Sequence, residues 1–281
     1  MIELLLKWLS FLIEKCPFLI SLICMTGIFL LLAKSIRKQT KLYYIVFAIP
    51  AVLCILQEIL TLVKIDIVNF YSIPIMGEVM RQYIHMAGFG YPLLVIIMYV
   101  GALNPKNPNV KKILSIRKEL SIISGFPVLT HSIIRLMYNI PSTIEFFVSR
   151  NTYLEKSRWP VNSTLGAELT NIGYLLGILM VILFLVLWVT SFNSIHKRLG
   201  AKKWKRIQNW SYILYAMLFL HSALLNTGWM MDMGISGGNK DFLLSSALGL
   251  ASTCLVFISY LILRLRKWKQ DAHIGVTNIQ L

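Results

Sequence analysis

Five histidines are the residues of this 281-residue chain best suited to hold a metal or move a proton: His85, His131, His196, His221 and His273. His196 and His273 lie among lysines and arginines and read as solvated. The other three lie in apolar surroundings. His131 closes the run LSIISGFPVLTH, and His221 closes WKRIQNWSYILYAMLFLH, with Gln208 thirteen residues before it. One histidine in an apolar helix often does no more than hydrogen-bond to a neighbouring helix. Ionisable groups at membrane depth are nevertheless costly enough to be functional candidates. The four cysteines form no CxxC, CxxCH or zinc-type spacing. Attached c-type haem, iron–sulfur clusters and structural zinc are therefore unsupported.

The elements that must position these residues are apolar helices. The chain is 57% hydrophobic and only 14% charged, with a mean hydropathy of +0.68. A soluble fold of this size could not hide so much apolar surface. The expected class is all-α, a polytopic membrane bundle. Seven spans are expected, at about 17–34, 42–63, 84–103, 119–138, 166–191, 208–229 and 241–263. Residues 1–16 are expected to form an amphipathic interfacial helix, and 264–281 a basic tail. Glu3, Glu14 and the lack of a basic leader argue against a cleaved signal.

A net charge of +16 could suggest nucleic acid, but the cations fall in short clusters between apolar runs. Segments 34–41, 103–118, 192–207 and 264–281 carry 19 of the 28 lysines and arginines. That asymmetry places these segments and the C-terminus in the cytoplasm of a multi-pass cell-membrane protein. The longest outer loop is then 139–165, able to cap an outer site or receive a partner. GISGGN at 234–239 has no flanking strand and reads as a turn rather than a nucleotide fingerprint. With no nucleotide-binding unit in sight, NAD(P)H is not expected to bind this chain.

His131 lies twelve residues into the fourth span and His221 thirteen into the sixth, and both spans run outward. At about 1.5 Å per residue both are roughly 18–20 Å from the inner boundary. Two imidazoles at one depth on two helices fit the axial pair of a b-type haem. They fit two packed core histidines as well. Gly125 and Pro127 could open room for a macrocycle or mark an ordinary kink. Arg135, one turn outward of His131, could pair with haem propionates. Arg81 and His85, at the outer end of the third span, are candidates for propionates or a quinone, with interfacial anchoring the plainer reading of Arg81.

The run TSFNSIHKRLGAKKWKRIQNWSYILYAMLFLH (190–221) resembles the ferric reductase-like transmembrane domain family, in style closest to the haem-binding membrane subunit of the periplasmic methionine sulfoxide reductase system. The matching positions are Thr190, Ser191, Arg198, Leu199, Gly200, Trp204, Tyr212 and His221. IRKELSIISGFPVLTHSII (116–134) resembles the preceding ligand helix, with His131 at the ligand position. The resemblance covers about 84–228. Two-haem members carry two histidines on each ligand helix, fourteen apart on the earlier and thirteen on the later. Here the inner positions are Arg117 and Gln208. Both inner ligands are missing together, and both outer ones are present together. The resemblance therefore implies one haem b, held by His131 and His221.

It also implies a function: an electron-transfer subunit taking electrons from quinol, or from a separate cytoplasmic donor, to an extracytoplasmic redox partner or metal ion. Quinol is favoured, because no inner haem position remains to relay electrons from the cytoplasm. His85, Glu168 and Arg81 are candidates for a quinol pocket. The alternative is a haem-free anchor or assembly subunit, or a small-solute transporter. Transport would be favoured by helices broken at midplane and an inverted repeat, and neither is clear in the sequence.

Overall fold

Among the described residues of the computed structural model, six helices are long and apolar enough to cross a membrane, so the chain is a multi-pass membrane protein built as a helical bundle. Residues 11, 14–65, 69–84, 88–156 and 161–279 are described. Most of the expected interfacial helix lies outside them. In chain order the helices are α1 (Pro17–Lys38), α2 (Thr40–Leu62), α3 (Pro74–Ile84), α4 (Gly90–Val100), α5 (Pro108–Leu114) and α6 (Arg117–Val148). There follow α7 (Arg150–Lys156), α8 (Thr164–Val189), α9 (Asn193–Gln208), α10 (Ser211–Trp229), a π-helical turn (Met230–Ser236) and α11 (Lys240–Ile279).

The expected third span is corrected by the structure. Instead of one helix over 84–103, α3 ends at Ile84 and only the short α4 follows, from Gly90 to Val100. Eleven-residue α4 is about 16 Å long, roughly half of a ~30 Å hydrocarbon core. Its sequence GYPLLVIIMYV is apolar on every side, and a helix of that kind belongs in the interior. All of its residues except Tyr99 are buried. The Tyr99 hydroxyl ties it to α11 through the Val256 carbonyl and Ser259, both at 2.6 Å. Only the lipid-facing helices need full length.

The expected outer loop is also corrected in part. Helix α6 does not stop near 138 but runs to Val148, passing Pro127 and Pro141. At 32 residues it is about 48 Å long, and α7 follows at once. Helix α2 is held to α6 by Glu58, whose carboxylate accepts from Tyr71 at 2.7 Å and from Tyr138 at 2.6 Å.

Helix α10 packs mainly between α8 and α11. Close approach to α8 is possible because glycines face each other where the helices meet. A Cβ on Gly166 would stand 2.8 Å from the Gly228 carbonyl, and one on Gly228 would stand 2.3 Å from the Thr170 hydroxyl. Small residues at such crossings let backbones approach within membranes. Asp232 in the π-helical turn fixes the same end, accepting from the Asn162 and Ser163 amides at 2.6 and 2.7 Å. GISGGN at 234–239 ends this turn, with Gly238 at φ +66°.

Candidate functional site

Helices α6, α8 and α10 enclose a cavity lined by His131, Arg135, Asn139 and Thr143 from α6, Tyr174 and Gly177 from α8, and His221 and Trp229 from α10. The remaining wall is largely apolar, including Leu94, Val128, Met180, Phe184 and Leu214. The structure thus brings His131, His221 and Arg135 to one space. Arg81 does not line it: on α3 it pairs with Glu78 at 3.2 Å and is half exposed. Glu168 pairs with Arg150 at 3.2 Å, away from the cavity wall. His85 lies outside the described residues.

His221 is oriented by α8. Its Nδ1 is 2.8 Å from the Gly173 carbonyl. A carbonyl only accepts, so Nδ1 carries the proton and donates, leaving Nε2 as the nitrogen with a usable lone pair. That backbone bond is the kind of outer support that fixes the tautomer and ring plane of ligating histidines. Gly177 clears the other side of the ring. A Cβ there would sit 3.2 Å from His221 Cε1.

Those features fit a haem. Two imidazoles reach one cavity from two helices, one with its tautomer set, and the Arg135 cation stands one turn along α6 from His131. Among the described residues no group of three or more His, Cys, Asp and Glu side chains gathers around a metal position. An axial haem pair needs only two.

The inner positions have other work. The Gln208 amide donates to Thr190 Oγ1 at 2.9 Å and to the Leu187 carbonyl at 3.2 Å. It is a strap between α9 and the end of α8. Residues 209 and 210 interrupt the helix, so Gln208 and His221 do not share one regular helix. Arg117 is exposed at the start of α6, with Tyr215 among its polar neighbours. Three more of the residues that matched the resemblance, Trp204, Ser191 and Gly200, shape the same segment. Trp204 Nε1 donates to the Thr190 carbonyl at 2.9 Å, and Ser191 meets Ser121 of α6 at 3.2 Å. Gly200 turns the chain at φ +73°, ψ 157°, a conformation essentially reserved for glycine.

Gly125 proves to be a packing position. A Cβ on it would overlap the Trp188 indole, whose Nε1 donates to the Ile122 carbonyl at 2.9 Å. Sequence reasoning did not single out Gly173, Gly177, Asn139 or Thr143. The available signal was spacing. Asn139 and Thr143 continue the polar line of His131 and Arg135 every fourth residue along α6, and Gly173 and Gly177 share one face of α8.

The bundle brings one histidine from each of two helices to one cavity, an arrangement compatible with a membrane electron-transfer component. Comparison with known proteins agrees at that level. The family described as ferric reductase like transmembrane component matches residues 85–219. The match contains His131 and Arg135 and stops two residues short of His221. An uncharacterized protein of Treponema pallidum (strain Nichols) is 30% identical over 88 residues, which is 31% of this chain and 22% of that protein. The chain thus matches under a quarter of that relative's length. No solved structure matches the chain.

Proposed function

We propose that this protein holds one b-type haem between His131 and His221 and passes electrons from a membrane quinol to an acceptor on the outer face. The observation that supports the reading best is the shared cavity, with the His221 tautomer set by the Gly173 carbonyl. The haem would supply one-electron chemistry, its potential set by the axial pair and the surrounding polarity. The residues do the rest. Gly173 holds the His221 ring in plane, and Arg135 offers a positive charge to a propionate. Leu94, Val128, Met180, Phe184 and Leu214 keep water away.

Quinol is the favoured donor because the inner positions are occupied by structural work. Gln208 straps α9 to α8, and neither it nor Arg117 is a haem ligand. A membrane-soluble donor needs no relay from the cytoplasm. The cation clusters support a cytoplasmic C-terminus, and on that reading the cavity lies toward the outer half. The acceptor is an extracytoplasmic redox partner or a metal ion, and the likeness to the methionine sulfoxide system subunit favours a partner reductase.

Optical spectroscopy of the protein purified from haem-sufficient cells tests this. A dithionite-reduced b-type α band is expected in the parent and is lost in both His131→Ala and His221→Ala, while His196→Ala keeps it. Well-folded parent protein without haem would refute the reading.

A further inference from the structure

Three cations meet at Gly101, just beyond the end of α4. Arg264 Nη1 and Lys267 Nζ, both on α11, donate to its carbonyl at 3.4 and 2.9 Å. Arg117, the first residue of α6, brings its guanidinium to the same glycine, 3.5 Å from where a Cβ would stand. Among the described residues no carboxylate pairs with any of the three. Glu119, the acid nearest Arg117 in sequence, is taken by Lys118 at 3.2 Å. One neutral oxygen does not offset three positive charges, and like charges held this close repel unless an anion joins them.

Arg264 is fixed in place. Its guanidinium lies over the Tyr212 and Trp268 rings, 5.2 and 5.0 Å from their centroids, and its Nη2 donates to the Tyr212 hydroxyl. Arg117 is exposed and Lys267 half-buried, so both keep donors within reach of a ligand. Their depth is that of lipid headgroups. Arg264 stands about 36 Å along α11 from Lys240, by which point a hydrocarbon core of ~30 Å has been crossed. Trp210 and Trp268, 46% and 47% exposed, mark the same level as an interfacial aromatic belt does. Toward the midplane α11 shows Ile258 and Leu261 on its surface, 55% and 53% exposed.

Cations gathered at headgroup level, beside apolar surface and without a counter-ion of their own, suit a lipid phosphate. Basic pockets between membrane helices take anionic headgroups in this way. We propose that Arg117, Arg264 and Lys267 bind the phosphodiester of an anionic phospholipid, whose acyl chains lie along the apolar surface of α11. The lipid then clamps the ends of α4, α6 and α11, and through Tyr212 that of α10. Two of these helices, α6 and α10, carry His131 and His221. The site requires neither haem nor a given orientation of the chain, since headgroups line both faces of a bilayer.

Full-length protein, delipidated in a neutral detergent, is titrated with phosphatidylglycerol or with phosphatidylcholine of the same acyl chains. Binding is read by native mass spectrometry and by thermal unfolding. Phosphatidylglycerol is expected to bind at least tenfold tighter and to raise the melting temperature, and excess inorganic phosphate is expected not to displace it. The preference disappears in Arg117→Gln/Lys267→Gln. Lys111→Gln/Lys112→Gln removes the same charge from exposed positions on α5 and keeps it. Lys267→Gln alone, with part of the preference lost, serves where the double variant does not fold. Equal binding of the two lipids by the parent overturns the proposal without any variant. So does an equal loss in both double variants, because diffuse charge would then be the cause. Displacement by inorganic phosphate also overturns it and assigns the cluster to a soluble anion.

Discussion

Gly177 is the residue at which the candidate site is most sensitive to a single atom. Its absent side chain leaves room for the His221 ring, from which a Cβ would be 3.2 Å away. Gly177→Val adds two further methyls to that contact and costs about 1–3 kcal/mol if the ring stays in place. The expected outcome is displacement of the imidazole from the Gly173 carbonyl and loss of most bound haem, read from the absorbance ratio of haem to protein. Gly27→Ala is the control, since nothing lies within 4 Å of its Cβ position. Of the side chains concerned, His131, His221 and Arg135 were legible in the sequence. Their types and depths are chemical signals that survive without coordinates. Asn139 and Thr143 were not, because the lining of a cavity becomes visible only when every neighbour is placed. Gln208 was half legible. Its departure from the two-haem pattern could be read, but not its bonds to Thr190 and Leu187.

At the scale of elements, the strap from Thr190 to Gln208 sets how α10 enters the bundle, and so where His221 stands. Its turn is made by Gly200, around which nothing lies within 4 Å. Gly200→Ala therefore tests backbone conformation alone, and about 1–3 kcal/mol of destabilisation is expected. Thermal unfolding in detergent, followed by circular dichroism, measures it. Spanning helices were legible because about 20 apolar residues in a row leave few alternatives. The third expected span failed because hydropathy counts apolar length and does not see where a helix is interrupted. A run of that composition suits a lipid-facing span or a short buried helix equally, and α4 is the second kind. The end of α6 was misplaced for a related reason. Pro141 and the polar residues after it resemble a loop, yet a proline need not end a membrane helix whose freed groups find other partners.

For the whole molecule, orientation and cofactor number decide how electrons could cross it. Arg264 and Lys267 in the C-terminal half of α11 converge on the Gly101 carbonyl, at 3.4 and 2.9 Å, so this end of the bundle gathers positive charge. The charge pattern predicts that Lys203→Cys reacts with a membrane-impermeant thiol reagent only after permeabilisation. Asn151→Cys should react in intact cells. The reverse pattern would turn the cavity toward the cytoplasm and remove the need for quinol. The central claim is one haem per chain, held at the outer pair alone. Pyridine haemochrome content against protein determined by amino-acid analysis tests it most directly. One haem b per chain, lost in His131→Ala and in His221→Ala, is the expected result. Two per chain, or one that survives both substitutions, would contradict it.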